Sequence, residues 1–233
     1  MKHPIFIAEI SANHLSSLAR AHELIESASK AGANAVKLQT YKPESMTLDL
    51  ERFSVSQDHN LWGGISLFQL YKEAMTPWEW HKELFEHANE LGMQAFSSPF
   101  DRSAVDFLEG LDCPIYKIAS LETGDVDLIS HVASKGKPTI ISTGASTLDE
   151  IDAAVEAAEK VRNKLTLLVC TSSYPAEAAD AHVNRILTLR EKFGVDVGLS
   201  DHTLGIGVSV AAIALGATVI EKHLTIKRSD GGH

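Results

Sequence analysis

Cysteine is the scarcest chemical resource of this chain: Cys113 and Cys170 are the only two in 233 residues. Both lie in or beside apolar runs, so they read as buried thiols of a reducing compartment rather than as a disulfide or a cysteine-based metal site. No apolar stretch is long enough to span a bilayer. Lys2-His3-Pro4 leads straight into a strand-like run without the apolar core or cleavage site of a secretory leader, so a cytoplasmic protein is expected. Basic residues are outnumbered, 21 against 31, and the net charge of -10 argues against non-specific binding to nucleic acid or to an anionic membrane. It leaves a small anionic substrate open, because local lysines can override the mean. No Gly-x-Gly-x-x-Gly follows the first apolar run, which weakens a dinucleotide-binding reading.

What the chain does have is alternation. Eight short β-rich runs, 5–10, 35–40, 94–98, 115–120, 139–143, 165–171, 195–200 and 219–225, are separated by amphipathic stretches. Most are apolar throughout, as parallel strands covered on both faces should be. Thr76-Pro77-Trp78-Glu79 and Thr147-Leu148-Asp149-Glu150 read as capping boxes, Asp101 as an N-cap, and Gly32, Gly92 and Gly194 as helix stops. The nearly all-apolar stretch 205–215 predicts a well-buried helix. Repeated β-then-α with eight strands favours an α/β (β/α)8 TIM barrel over an open sheet. The connection 41–75 is long for a compact domain and reads as a functional loop with short helices of its own. No eighth helix follows the last strand, which predicts exposed apolar outer faces on strands eight and one. The expectation is one barrel domain over residues 1–233, shortened at its C-terminus.

In such a barrel the site lies at the carboxyl ends of the strands. Those ends carry Glu9 with Asn13-His14, Lys37 and Gln39, Ser97-Ser98, Lys117 and Ser120 with Glu122, Ser142-Thr143-Gly144, Thr171-Ser172-Ser173-Tyr174, Ser200-Asp201-His202, and Glu221-Lys222-His223. A purely structural barrel would not need polar groups at every strand end. Lys37 and Lys117 sit inside apolar strands, where an unpaired cation is costly. Three readings stand: ion pairs with Glu9 or Glu122, a Schiff-base lysine, or, among Ser98, Ser120, Ser142 and Ser200, a phosphate or carboxylate pocket. His202 and His223 end neighbouring strands, either as hydrogen-bonded structural residues or as ligands of one divalent metal. Asp201 and Glu221 are then natural second partners for the imidazoles. His14 is a weaker ligand candidate, and His59, His81 and His87 read as surface or structural. Glu9 and Glu122 are paired carboxylates able to accept or return a proton.

Several motifs then line up in one order. Ala8-Glu9-Ile10-x-x-Asn13-His14, Lys37-Leu38-Gln39-Thr40, Phe96-Ser97-Ser98-Pro99-Phe100-Asp101, Tyr116-Lys117-Ile118-Ala119-Ser120, Gly198-Leu199-Ser200-Asp201-His202-Thr203 and Val219-Ile220-Glu221-Lys222-His223 resemble the sialic acid synthase family, N-acetylneuraminate synthase-like. Ile141-Ser142-Thr143-Gly144 and Cys170-Thr171-Ser172-x-Tyr174-Pro175 extend the likeness. Leu61-Trp62-Gly63-Gly64-x-Ser66-Leu67-Phe68 and Thr76-Pro77-Trp78-Glu79-Trp80-His81 resemble its pseudaminic acid synthase branch. The resemblance implies condensation of phosphoenolpyruvate with the open-chain aldehyde of an acylated amino sugar, releasing phosphate. It implies His202 and His223 as ligands of Mn2+, with Mg2+ or Co2+ as substitutes. Glu9 and Glu122 become the catalytic carboxylates. Lys37, Ser98, Lys117, Ser120, Ser142, Ser172 and Ser200 match phosphoenolpyruvate positions, and Gln39 and Tyr174 match sugar contacts. The full-length family is a homodimer carrying a C-terminal antifreeze-like domain, which does not appear in this sequence. N-acetylneuraminate or legionaminate synthesis, or a catalytically impaired barrel that still binds phosphoenolpyruvate, are the alternatives.

Overall fold

The computed structural model describes residues 3–56 and 63–230. The readings that fall on His59, on Leu61-Trp62 and on 231–233 lie outside those residues. Eight strands, β1 Ile5–Glu9, β2 Ala35–Thr40, β3 Gln94–Pro99, β4 Tyr116–Ile118, β5 Thr139–Ser142, β6 Leu165–Cys170, β7 Asp196–Asp201 and β8 Val219–His223, close into one barrel in sequence order. Every neighbouring pair is parallel, including β8 back to β1. This is the expected (β/α)8 architecture, and its core of Ile, Leu, Val and Ala is contiguous around the barrel.

Register decides which polar residues meet. Glu9 lies opposite Lys37 on one side and His223 on the other, Gln39 opposite Ser98, and Ser200 opposite both Cys170 and Glu221. Residues two apart share a face of a strand. The same inward face therefore carries Lys37 and Gln39 on β2, and Glu221 and His223 on β8.

The helices follow as the caps predict, with one exception. Ser17 caps α1 (Leu18–Lys30), Asp101 caps α5 (Arg102–Gly110), and Thr147 with Glu150 forms a full capping box on α7 (Leu148–Ala157). The long β2–β3 connection holds α2 (Pro43–Met46) and α3 (Leu67–Ala74) before α4 (His81–Glu90). Thr76 does not cap: Pro77 opens a 3-10 turn over Trp78–Trp80 without a side-chain bond. The Thr76 hydroxyl is instead buried against His14 Nε2 at 3.3 Å, a long-range contact that outcompetes the local cap. The fourth strand is shorter than expected, because Ser120–Glu122 turns into a 3-10 helix.

α6 (Val126–Ser134), α8 (Arg185–Phe193) and α9 (Gly207–Ala214) complete the outer layer. Contrary to expectation, α9 is poorly covered: Ser209 and Ala212 are its buried residues, while Val210 is 57% exposed and Ile206, just before it, 73%. Only one side of the helix packs on the barrel, and uniform apolarity cannot tell which side that will be. Among the described residues no α-helix follows β8, and Ile5 and Phe6 of β1 are exposed, as predicted. The expectation fails for strand eight, where Val219 and Ile220 are buried in the core cluster. No helix among them is long and apolar enough to cross a membrane.

Candidate active site

Just below the mouth of the barrel lies a layer of buried charge. Lys37 forms an ion pair with Glu9, and Lys117 stands 3.6 Å from Glu221. All four side chains are nearly inaccessible. Lys37 is therefore paired as one reading had it, but Lys117 takes Glu221 rather than Glu122. The closed barrel brings strands four and eight face to face across its interior, a proximity that linear order hides. Burial draws the Lys37 ammonium down to about 8. Glu221 feels burial too, but Lys117 and Lys37 outweigh it and hold its carboxyl well below the usual range. Hydroxyls finish the layer: Lys37 donates to Ser98 Oγ at 3.2 Å and Ser200 Oγ donates to Glu221 at 3.1 Å.

Above it, between strands four and six, is a small cradle. The backbone N–H of Gly144 donates to Ser120 Oγ at 3.1 Å. A Cβ on residue 144 would stand 2.6 Å from Ser172 Oγ and 2.9 Å from the Cys170 carbonyl, so only glycine fits. Ser142 Oγ, Glu122 Oε2 and Glu221 Oε2 are buried without a hydrogen-bond partner. Buried polar atoms are normally satisfied, so orphans grouped at a strand-end mouth mark a place built for a polar ligand. Glu122 is half-buried, and desolvation raises its pKa even against the nearby Lys117.

The two imidazoles close the other side. The His202 and His223 rings lie 5.3 Å apart between centroids, and Tyr174 packs against both at 4.3 and 5.6 Å. His202 Nδ1 is 2.9 Å from the Thr171 carbonyl, which can only accept, so Nδ1 carries the hydrogen and Nε2 keeps its lone pair. Burial pulls the His202 pKa down, but contact with the Cys170 thiol and the Thr171 carbonyl more than reverses this. His223, accessible yet sunk in the mouth, is held below the ordinary imidazole range by lost hydration and then by His202. Among the described residues no group of three or more His, Cys, Asp or Glu side chains is placed to hold a metal ion. A cation here would rest on two imidazoles, with water or substrate oxygens completing its shell, a donor set that suits Mn, Co or Zn.

The structure brings Glu9, Lys37, Gln39, Ser98, Lys117, Ser120, Glu122, Ser142, Ser172, Tyr174, Ser200, His202 and His223 to one end of one barrel. Asp201 is not a partner of His202. It turns to the outer side, taking Thr203 N and Oγ1, Ser209 Oγ on α9 at 2.6 Å and Lys222 at 3.0 Å. Adjacent residues of a strand face opposite ways, so Asp201 and His202 part company. His14 and His81 are fully buried and structural. Sequence reasoning missed Ser11, Cys170 and the tight fit of Gly144. The signal for Ser11 is its position two residues beyond Glu9, where a hydroxyl can bond a strand-end carboxylate.

The NeuB family model matches residues 24–233, and the chain belongs to the NeuB family. Relatives sharpen the placement. The pseudaminic acid synthase of Campylobacter jejuni is 44% identical over 98% of this chain, which spans 67% of that protein. The N,N'-diacetyllegionaminic acid synthase of Legionella pneumophila is 38% identical over 96% of this chain and 64% of its own length. Among solved structures, the N-acetylneuraminic acid synthetase of Leptospira borgpetersenii, determined with citrate, superposes with a TM-score of 0.89 at 32% identity. That match covers 99% of this chain and 76% of the other. The chain is thus a homologue of nonulosonic acid synthases, built on their barrel.

Proposed function

We propose that this chain carries the catalytic barrel of a pseudaminic acid synthase, which joins phosphoenolpyruvate to 2,4-diacetamido-2,4,6-trideoxy-L-altrose and releases phosphate. The observation that carries the proposal is the division of one mouth into two halves. One half offers buried lysines and serine hydroxyls for an anion, Ser142 Oγ among them without a partner of its own, and the other offers two imidazoles with nitrogen lone pairs. The 44% identity to a protein named as a pseudaminic acid synthase, against 38% to one named as an N,N'-diacetyllegionaminic acid synthase, favours this product over the legionaminate reading.

Phosphoenolpyruvate lies over Lys37, Lys117 and the serines at 98, 120, 142, 172 and 200, where point charges and hydroxyls complement phosphate and carboxylate oxygens. The sugar lies on the side of Gln39 and Tyr174. A divalent cation, Mn2+ by preference, held by His202 and His223, would supply Lewis-acid polarisation of the sugar aldehyde. The C2–C3 π pair of phosphoenolpyruvate forms the new bond from C3 to the aldehyde carbon, whose oxygen takes a proton. Water adds at the electron-poor C2 and gives its proton to the Glu122 carboxylate. The bond from C2 to the phosphate oxygen then breaks as the C2 hydroxyl proton passes to the departing phosphate, leaving a ketone and hydrogen phosphate. The proton gained by Glu122 balances the one taken by the aldehyde oxygen. Glu122 suits this exchange because desolvation raises its proton affinity. Glu9 orients the groups around His223.

The test is phosphate release from phosphoenolpyruvate and the altrose-configured sugar, abolished by EDTA and restored by Mn2+. Turnover of only the legionaminate or mannosamine-type sugar would overturn the substrate assignment. Phosphoenolpyruvate binding by calorimetry without product would instead identify a binding-only barrel.

A further inference from the structure

The β1–α1 loop bends through the left-handed region at three non-glycine residues, Ser11 (φ 39°), Leu15 (φ 49°) and Ser16 (φ 55°). Such conformations are costly for L-residues and persist where surrounding contacts over-determine them. At Ser11 the contacts are visible. Its backbone N–H and its hydroxyl both reach Glu9 Oε1, at 2.7 and 2.8 Å. The same hydroxyl oxygen lies 3.3 Å from His223 Nδ1 and 3.3 Å from Gln39 Nε2. Ser11 is 4% exposed, so no bulk water shares this geometry.

Counting donors and acceptors orders the network. A serine hydroxyl has one hydrogen to give and two lone pairs to receive with. A carboxylate can only accept, so the Ser11 hydrogen goes to Glu9. The amide nitrogen of Gln39 can only donate, which fills one lone pair of Ser11 Oγ. The remaining lone pair faces His223 Nδ1, which must therefore carry a hydrogen, leaving the lone pair on Nε2. His202 reaches the same tautomer through the Thr171 carbonyl. We infer that Ser11 is a positioning residue: it relays the Glu9 carboxylate to His223, fixes the imidazole as the Nδ1–H tautomer, and so makes Nε2 the nitrogen offered to a cation at the mouth. It also ties Gln39, on the sugar side, to the same oxygen. This inference rests on the metal-ligand reading of His202 and His223. The hydrogen-bond order itself holds in the cation-free chain.

Long-range proton–nitrogen NMR of the 15N-labelled chain, metal-free at neutral pH, reads which nitrogen of His223 is protonated. The wild type should show Nδ1–H. Ser11→Gly removes the hydroxyl and suits a positive φ, so its thermal midpoint should hold while His223 shifts toward Nε2–H. Ser11→Ala, which keeps a Cβ, should give the same tautomer change, separating hydroxyl loss from a loosened backbone. Mn2+ affinity, followed by the free-ion electron paramagnetic resonance signal, should fall about 10- to 100-fold in both variants. Nε2–H in the wild type, or an unaltered tautomer in both variants, overturns the relay. If the wild type shows Nδ1–H but takes up no Mn2+, the relay stands and the metal reading fails.

Discussion

Two groups of histidines in this molecule are built from the same ring and differ in whether their hydrogen bonding is finished. His81 sits behind β2 and β3 with Nδ1 donating to the Pro77 carbonyl at 3.2 Å and Nε2 facing Thr40 Oγ1 at 2.7 Å. Thr40 Oγ1 is in turn 2.6 Å from Ser97 Oγ. His14 is likewise occupied on both nitrogens, by Ser16 N and Thr76 Oγ1. These rings are complete and lie in the protein's interior. At the mouth, His202 and His223 are held by the protein through Nδ1, at the Thr171 carbonyl and Ser11 Oγ, and the unpartnered oxygens of Glu122, Ser142 and Glu221 belong to the same end of the barrel. For these four rings burial is the poorer guide, because Lys37, Lys117 and Glu221 at the site are nearly as buried as His81. An open nitrogen is not confined to the mouth, since His87 Nε2 on α4 is also buried without a hydrogen-bond partner.

Among substitutions that probe the difference between mouth and scaffold, the largest effect is expected at Glu122. Glu122→Gln preserves size and removes the base, so phosphate release should fall about 10^2- to 10^4-fold while stability changes little. A rate within threefold of wild type would remove Glu122 from the chemistry. Because burial raises its pKa, the acid limb of the rate profile should lie above the ordinary glutamate range and disappear in the variant.

Next comes the charge layer. Lys117→Met takes from Glu221 its paired cation, leaving it the more weakly acting Lys37 and the Ser200 hydroxyl. It should cost about 3 kcal/mol in denaturant unfolding, besides abolishing phosphoenolpyruvate binding in calorimetry. An unaltered unfolding midpoint would show that the pair is not buried in solution.

On the scaffold side, burial lowers His81 from 6.5 to about 4. The unfolded chain therefore takes up this proton as pH falls below about 6.5, while the folded chain resists until about 4. Stability from this residue is full above that window and is lost as pH falls through it, by about 3 kcal/mol. His81→Gln should flatten that part of the unfolding-versus-pH curve without changing cation binding. A curve identical to wild type would mean that His81 is not neutral in the fold.

Much of this was readable before the fold was known, and the exceptions share a cause. The strands declare themselves by apolar β-branched runs, and Asp101 and Thr147 by caps whose partners lie three residues away. Lys117 with Glu221, Thr76 with His14 and Ser11 with His223 are separated by 104, 62 and 212 positions, and only the closed barrel joins them. The outward turn of Asp201 follows from strand alternation, but only once β7 is seen to run through residue 201. The open face of α9 could not be foreseen either, since Gly207–Ala214 has no polar side to mark solvent.

The measurement closest to the central claim is a Mn2+ titration, followed by electron paramagnetic resonance, of the wild-type chain, His81→Gln and the double variant His202→Ala/His223→Ala. One site is expected in the wild type and in His81→Gln, and none in the double variant. Equal binding by all three, or binding lost through His81 instead, would contradict it.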